Sequence, residues 1–147
     1  MEGDLAEHSV ERLTRRLAGR GAPAAGSAAA VATAMAAALV VKVAERSGSH
    51  LGDATAIARR AHDWRLRALR LAEEDEAAVA AMLAGSPARA AVVVPEEIDG
   101  LAATVSAEAD RLASGGNPRL RADAVTARVL AEAARAAVDA ILADDQG

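Results

Sequence analysis

Residues 57–82 read IARRAHDWRLRALRLAEEDEAAVAAM. Within them Ile57, Ala61, Trp64, Ala68, Leu71, Asp75, Ala78 and Met82 recur at alternating spacings of four and three. That is the period of one continuous helical face packed against neighbours. Asp75 is the only polar member of this stripe. Burying an ionised carboxylate without a partner is costly, so an acid in a core-facing seam is either tied into a polar network or kept for chemistry. The structural alternative is a buried ion pair with Lys42 or with an arginine of a neighbouring helix.

Working outward, four further helical segments are predicted. The first runs from a Ser9 cap to Leu17 and stops at Gly19 to Gly21. The second spans Ser27 to Arg46. It repeats small residues at Gly26, Ala30, Ala34 and Ala38, a groove for a neighbouring backbone, beside a larger ridge of Val31, Met35 and Leu39. Because it carries no charge from Gly21 to Val41, it is expected in the middle of the bundle. The helix of the opening stripe begins at an Asp53 cap and ends at Leu83, before Gly85, Ser86 and Pro87. The apolar run Ala88 to Val94 is expected as helix or irregular chain closed by Pro95, with the next helix over 96–113. After the turn Ser114 to Pro118, the last helix covers 119–143. It repeats the opening pattern in Leu120, Asp123, Ala127, Leu130, Ala134, Ala137 and Ile141, so a second carboxylate stands near the start of another seam. An acid in a first helical turn is also favoured by the helix dipole alone.

Composition agrees with an all-α bundle of about five helices in one domain, residues 1–147. Hydrophobic residues make up 52% of the 147-residue chain, and roughly three residues in ten are alanine. Trp64 is the only aromatic. Close-packed helices suit that usage; sheets, which draw on β-branched and aromatic residues, do not. With no cysteine, disulfides and thiolate sites are excluded and a cytoplasmic location is expected. The formal net charge of -4 argues against a nucleic-acid partner. Arg59, Arg60, Arg65, Arg67 and Arg70 are read as a solvated face paired to Glu73, Glu74 and Glu76 of the same helix. The acidic start, Met1 to Asp4, gives no secretory signal. The uncharged run 21–41 is long enough for a bilayer but diluted by alanine, so no membrane partner is expected. His8, His50 and His62 show no two-ligand spacing, hence no metal site, and neither a nucleophilic-serine motif nor a P-loop is present.

In order along the chain, Pro23, Ala24, Ala25, Gly26, Ser27 and three alanines, then Asp75, Glu76, Ala77, Ala78 and Val79, then Gly116, Asn117, Ala122 and Asp123 resemble three motifs of one family. These are the Pro-Gly-Gly-Gly-Ser helix start, the catalytic aspartate segment, and the Gly-Asn turn followed by a Ser-Asp helix start. They occur in the cyclodeaminase domain of formiminotransferase-cyclodeaminase and its methenyltetrahydrofolate cyclohydrolase-like relatives. Ala24 and Ala25 stand where that family has glycine, and Leu83 to Pro95 is shorter than its counterpart. The resemblance implies an enzyme acting on a one-carbon-substituted tetrahydrofolate, formimino or methenyl, with no tightly bound cofactor. Asp75 is then the catalytic acid and base. Gly26 and Ser27 hold the substrate's carboxylate end, and Asn117 and Asp123 offer hydrogen bonds to its heterocycle. It also implies a homodimer, in keeping with more small helix-packing faces than a monomer needs. The alternatives are a diverged enzyme that cyclises or hydrolyses a non-folate imine or amidine, and a non-catalytic helical dimerisation protein with no cavity beside Asp75.

Overall fold

The computed structural model describes residues 5–86 and 89–145. The Met1 to Asp4 start, Pro87 and Ala88 lie outside the described residues. Five helices follow in order: α1 (Val10–Leu17), α2 (Ala25–Glu45), α3 (Ala54–Leu83), α4 (Ala90–Gly115) and α5 (Arg121–Asp145). Short 3-10 turns at Leu5–Glu7 and Pro118–Leu120 complete the chain, and no strand occurs among the described residues.

Local chemistry sets most of the ends. Ser9 caps α1, its Oγ accepting from the Arg12 N–H at 3.1 Å. Gly21, with φ 71°, turns the chain between α1 and α2 where an L side chain would be strained. Asp53 precedes α3 without capping it: its carboxylate is spent on the Arg111 guanidinium, both oxygens lying 2.9 Å from Nη2. α4 begins earlier than 96 and runs through Pro95. A proline there removes one N–H, the donor that would reach the Ala91 carbonyl, and burial of Val94, Pro95 and Ile98 offsets that loss.

α2 lies at the centre, packed against α3, α4 and α5. Ala30, Ala36, Ala37, Val40 and Val43 are fully buried along it. Opposite them sit Ile57 and Leu71 of α3, Ile98 and Leu112 of α4, and Val138 of α5, all in the core. Each such side chain contributes about 1.5–3 kcal/mol by leaving water. Alanine on α2 gives little of this itself; it lets these larger residues approach.

α2 holds the central place expected of it, but α3, α4 and α5 leave one side open, where Met35 of the ridge is 51% exposed and Ala28 and Ala38 face solvent. The arginines of α3 pair across to α4 as well as along their own helix. Arg67 binds Glu97 of α4 as well as Glu74, Arg60 reaches Glu108 of α4, and Glu76 is taken by Arg16 of α1.

Candidate functional site

Asp75 enters the core through its place in the α3 stripe, and it is 2% exposed. Its carboxylate lies directly over Gly26, in the first turn of α2; a Cβ at Gly26 would overlap both carboxylate oxygens and Cγ. Glycine is therefore needed at 26 for close approach, since no positive φ occurs there. Ser27, fully buried, lies beside the same group. Its hydroxyl donates to the Ala72 carbonyl at 2.8 Å, and its Oγ stands 3.5 Å from Asp75 Oδ2. The N-cap residue of α2, Ala24, brings no side-chain cap of its own. The carboxylate thus sits at the positive end of a helix dipole, where negative charge is stabilised.

A hollow of about 200 Å³ opens beside this contact. Ala24, Ala25 and Gly26 form its α2 wall, and Asp75, Val79 and Met82 its α3 wall. Ala91 and Pro95 of α4 and Ile141 and Asp144 of α5 close it. A second hollow of about 370 Å³ shares Ala24 and Ala25 and continues past Leu17, Gly21 and Pro23. Ala24 has φ -137° and ψ -152°, extended backbone open to any residue, so alanine in place of glycine costs no strain there. A larger groove of about 660 Å³ lies between α2 and α3 around Val41, Ala58 and His62, at the far end from Asp75. Among the described residues no group of three or more His, Asp or Glu side chains is placed to hold a metal ion.

The structure brings together Asp75, Gly26 and Ser27, and it separates Asn117 and Asp123 from them. Asp123, in the first turn of α5, pairs with Lys42 at 2.9 Å. Lys42 stands roughly 24 Å along α2 from Gly26 at the helical rise per residue. It is therefore the partner of Asp123 and not of Asp75. Asn117 lies beyond it: its N–H donates to Ser47 Oγ at 2.9 Å, its Nδ2 to the Arg46 carbonyl at 3.0 Å, and its Oδ1 accepts from the Arg119 N–H at 3.0 Å. Those bonds fasten the α4–α5 turn to the end of α2. Within one chain neither residue can share a small ligand with Asp75. Gly26 makes room for the carboxylate, and Ser27 donates its hydroxyl into the core. Pattern reading missed Pro95, Ile141 and Asp144. Ile141 was visible as a member of the α5 seam, and Asp144 follows one helical step later on the same side.

An all-helical bundle whose central helix begins against a buried carboxylate defines the class. The fold is shared with the formiminotetrahydrofolate cyclodeaminase of Thermotoga maritima, with a TM-score of 0.87 at 23% identity over 97% of this chain and 80% of that one. No protein-family model matches the sequence, and neither does any curated protein.

Proposed function

We propose that this chain is a cytoplasmic enzyme of cyclodeaminase or cyclohydrolase type, acting on a tetrahydrofolate that carries a formimino or methenyl group. The observation that carries the reading is the Asp75 carboxylate, 2% exposed, over Gly26 and on the wall of a hollow. In cyclodeamination a ring-closing nitrogen attacks the formimino carbon, a new C–N bond forms, and the original C–NH2 bond breaks to release ammonia. One proton leaves the attacking nitrogen and one is given to the departing nitrogen. Asp75 performs both transfers in turn, first as base and then as acid. The apolar wall of Val79, Met82, Pro95 and Ile141 keeps bulk water from competing for these protons. No cofactor is required, because each step is a proton transfer that a carboxylate can make.

The adjoining hollow past Gly21 and Pro23 gives an elongated molecule a place to extend. The cavity beside Asp75 counts against the non-catalytic reading, which required none. A second reading rests on its size: at about 200 Å³ it falls below the roughly 300–1,000 Å³ of common ligand pockets, which favours a smaller imine or amidine with the same chemistry. Purified protein incubated with formiminotetrahydrofolate and, separately, methenyltetrahydrofolate distinguishes them. The first reading expects an absorbance change with either folate and ammonia release from the formimino compound. If neither folate binds or turns over, the folate assignment is lost.

A further inference from the structure

Charge around the Asp75 hollow is one-sided. Two carboxylates line it, Asp75 from α3 and Asp144 from α5, and the rest of its wall is alanine, glycine, proline, Val79, Met82 and Ile141. The adjoining hollow adds no charge, and neither has a lysine, arginine or histidine in its lining. Proton transfer in the proposed reaction needs Asp75 alone, so Asp144 has no task in it.

The two acids stand in opposite electrostatic settings. Asp75 lies over the first turn of α2, where the helix dipole is positive and offsets part of its charge. Asp144 sits in the last turn of α5, where the dipole is negative and where a cation, not an acid, stabilises the helix. That turn holds no basic residue, and among the described residues no ion pair or hydrogen bond holds the Asp144 side chain. Helix stability therefore gives no reason for an acid at this position. Asp144 is exposed whereas Asp75 is buried, which puts one carboxylate at the mouth of the hollow and the other on its inner wall.

We infer that Asp144 is a specificity-determining residue of this hollow: together with Asp75 it holds a positively charged group, an amidinium or an iminium, in preference to its neutral counterpart. Resting on the enzymatic reading of the same site, this assigns the charge state in which the one-carbon group is taken up. A neutral amide or imine of the same size loses hydration against the apolar wall and gains little from two carboxylates, whereas a cation gains from both. A protonated amidine shares its charge between two nitrogens and so has a donor for each acid. A methenyl bridge between two nitrogens is cationic without an added proton. An anionic group would meet two like charges and no base. Asp144 makes and breaks no covalent bond and moves no proton; it holds the charged carbon unit beside Asp75, where the positive charge makes that carbon the better target for the ring-closing nitrogen.

The test is the binding of formamidinium chloride and of formamide, its neutral counterpart of similar size, to the full chain at matched ionic strength, read from the backbone amide resonances of Ala24 to Gly26. Formamidinium is expected to bind about 10-fold tighter than formamide, and Asp144→Asn to remove that advantage while leaving formamide binding and helical circular dichroism unchanged. Asp139→Asn, an exposed acid of α5 outside the hollow, is expected to change neither. On a substrate that the wild type converts, Asp144→Asn raises KM more than it lowers kcat. Equal binding of the two probes, no binding of formamidinium, or an Asp144→Asn protein that keeps the wild-type preference overturns the inference. Binding is read without turnover, so a chain that keeps the preference but converts neither folate loses the folate assignment and not this one. A chain that converts a folate without showing the preference loses this one alone.

Discussion

Asp75, late in the α3 seam, and Asp123, in the first turn of α5, are each the single carboxylate of a seam with the same alternating spacing, and α2 receives both, one at each end. At its start α2 offers Gly26, and the carboxylate sinks to 2% exposure beside a hollow. Near its end α2 offers Lys42, and the Asp123 side chain remains 33% exposed in an ion pair. The difference teaches that a helical seam tells which face an acid takes. What the crossing helix presents, a missing side chain or a cation, decides whether that acid is buried beside a hollow or held near the surface in an ion pair.

The sharpest way to break the contrast is to fill the space above Asp75. Gly26→Ala puts a methyl group where the carboxylate lies, and turnover is expected to fall below detection. Because neighbours must shift, stability falls by about 1–3 kcal/mol, read from thermal and urea unfolding. Ser27→Ala is next. It removes the 2.8 Å hydroxyl donor from the Ala72 carbonyl, which keeps its helical N–H donor, at a cost of about 0.5–1.5 kcal/mol, and it lowers kcat less than Gly26→Ala. At the other end of α2 the effects shrink. Asp123→Asn weakens a half-exposed ion pair worth about 0–1 kcal/mol and leaves kcat unchanged, which steady-state kinetics and melting measure together. A kcat loss there equal to that at Gly26 would erase the distinction between the two carboxylates.

The smallest effect concerns pH. The Arg111 hydrogen bond, opposed by desolvation and aided by that guanidinium's charge, holds the Asp53 carboxyl below the usual carboxylate range. A depressed value in the folded state adds stability that is present above the unfolded value, about pH 4, and is lost as pH falls through the folded one. Arg111→Met is therefore expected to melt slightly below the wild type at neutral pH and to converge with it in acid, with the carboxyl resonance of Asp53 titrating nearer its ordinary value.

The helical plan was legible because its signals are local. Ser9 announces α1, the seam of Ile57 to Met82 announces α3, and Gly116 with Asn117 and Pro118 announces the turn before α5. Asp75 was legible because a charge breaks an otherwise apolar stripe. What the sequence did not carry was register between helices. That Gly26 and not Lys42 lies across from Asp75 follows from how α2 and α3 slide against each other, which no single-helix period specifies. Nor does such a period specify that Asn117 and Asp123 lie at the other end of α2 from Asp75 within one chain. The continuation of α4 through Pro95 was hidden differently: proline normally marks a boundary, and only tertiary burial of Val94 and Ile98 holds the helix across it.

The most direct measurement is kcat for Asp75→Asn beside Asp123→Asn on whichever one-carbon folate or imine the wild type converts, each with a melting curve. The account predicts a loss of about 100- to 10,000-fold for Asp75→Asn in a folded protein, the usual worth of a general acid and base, and wild-type turnover for Asp123→Asn. A folded Asp75→Asn protein that turns over at the wild-type rate would contradict it.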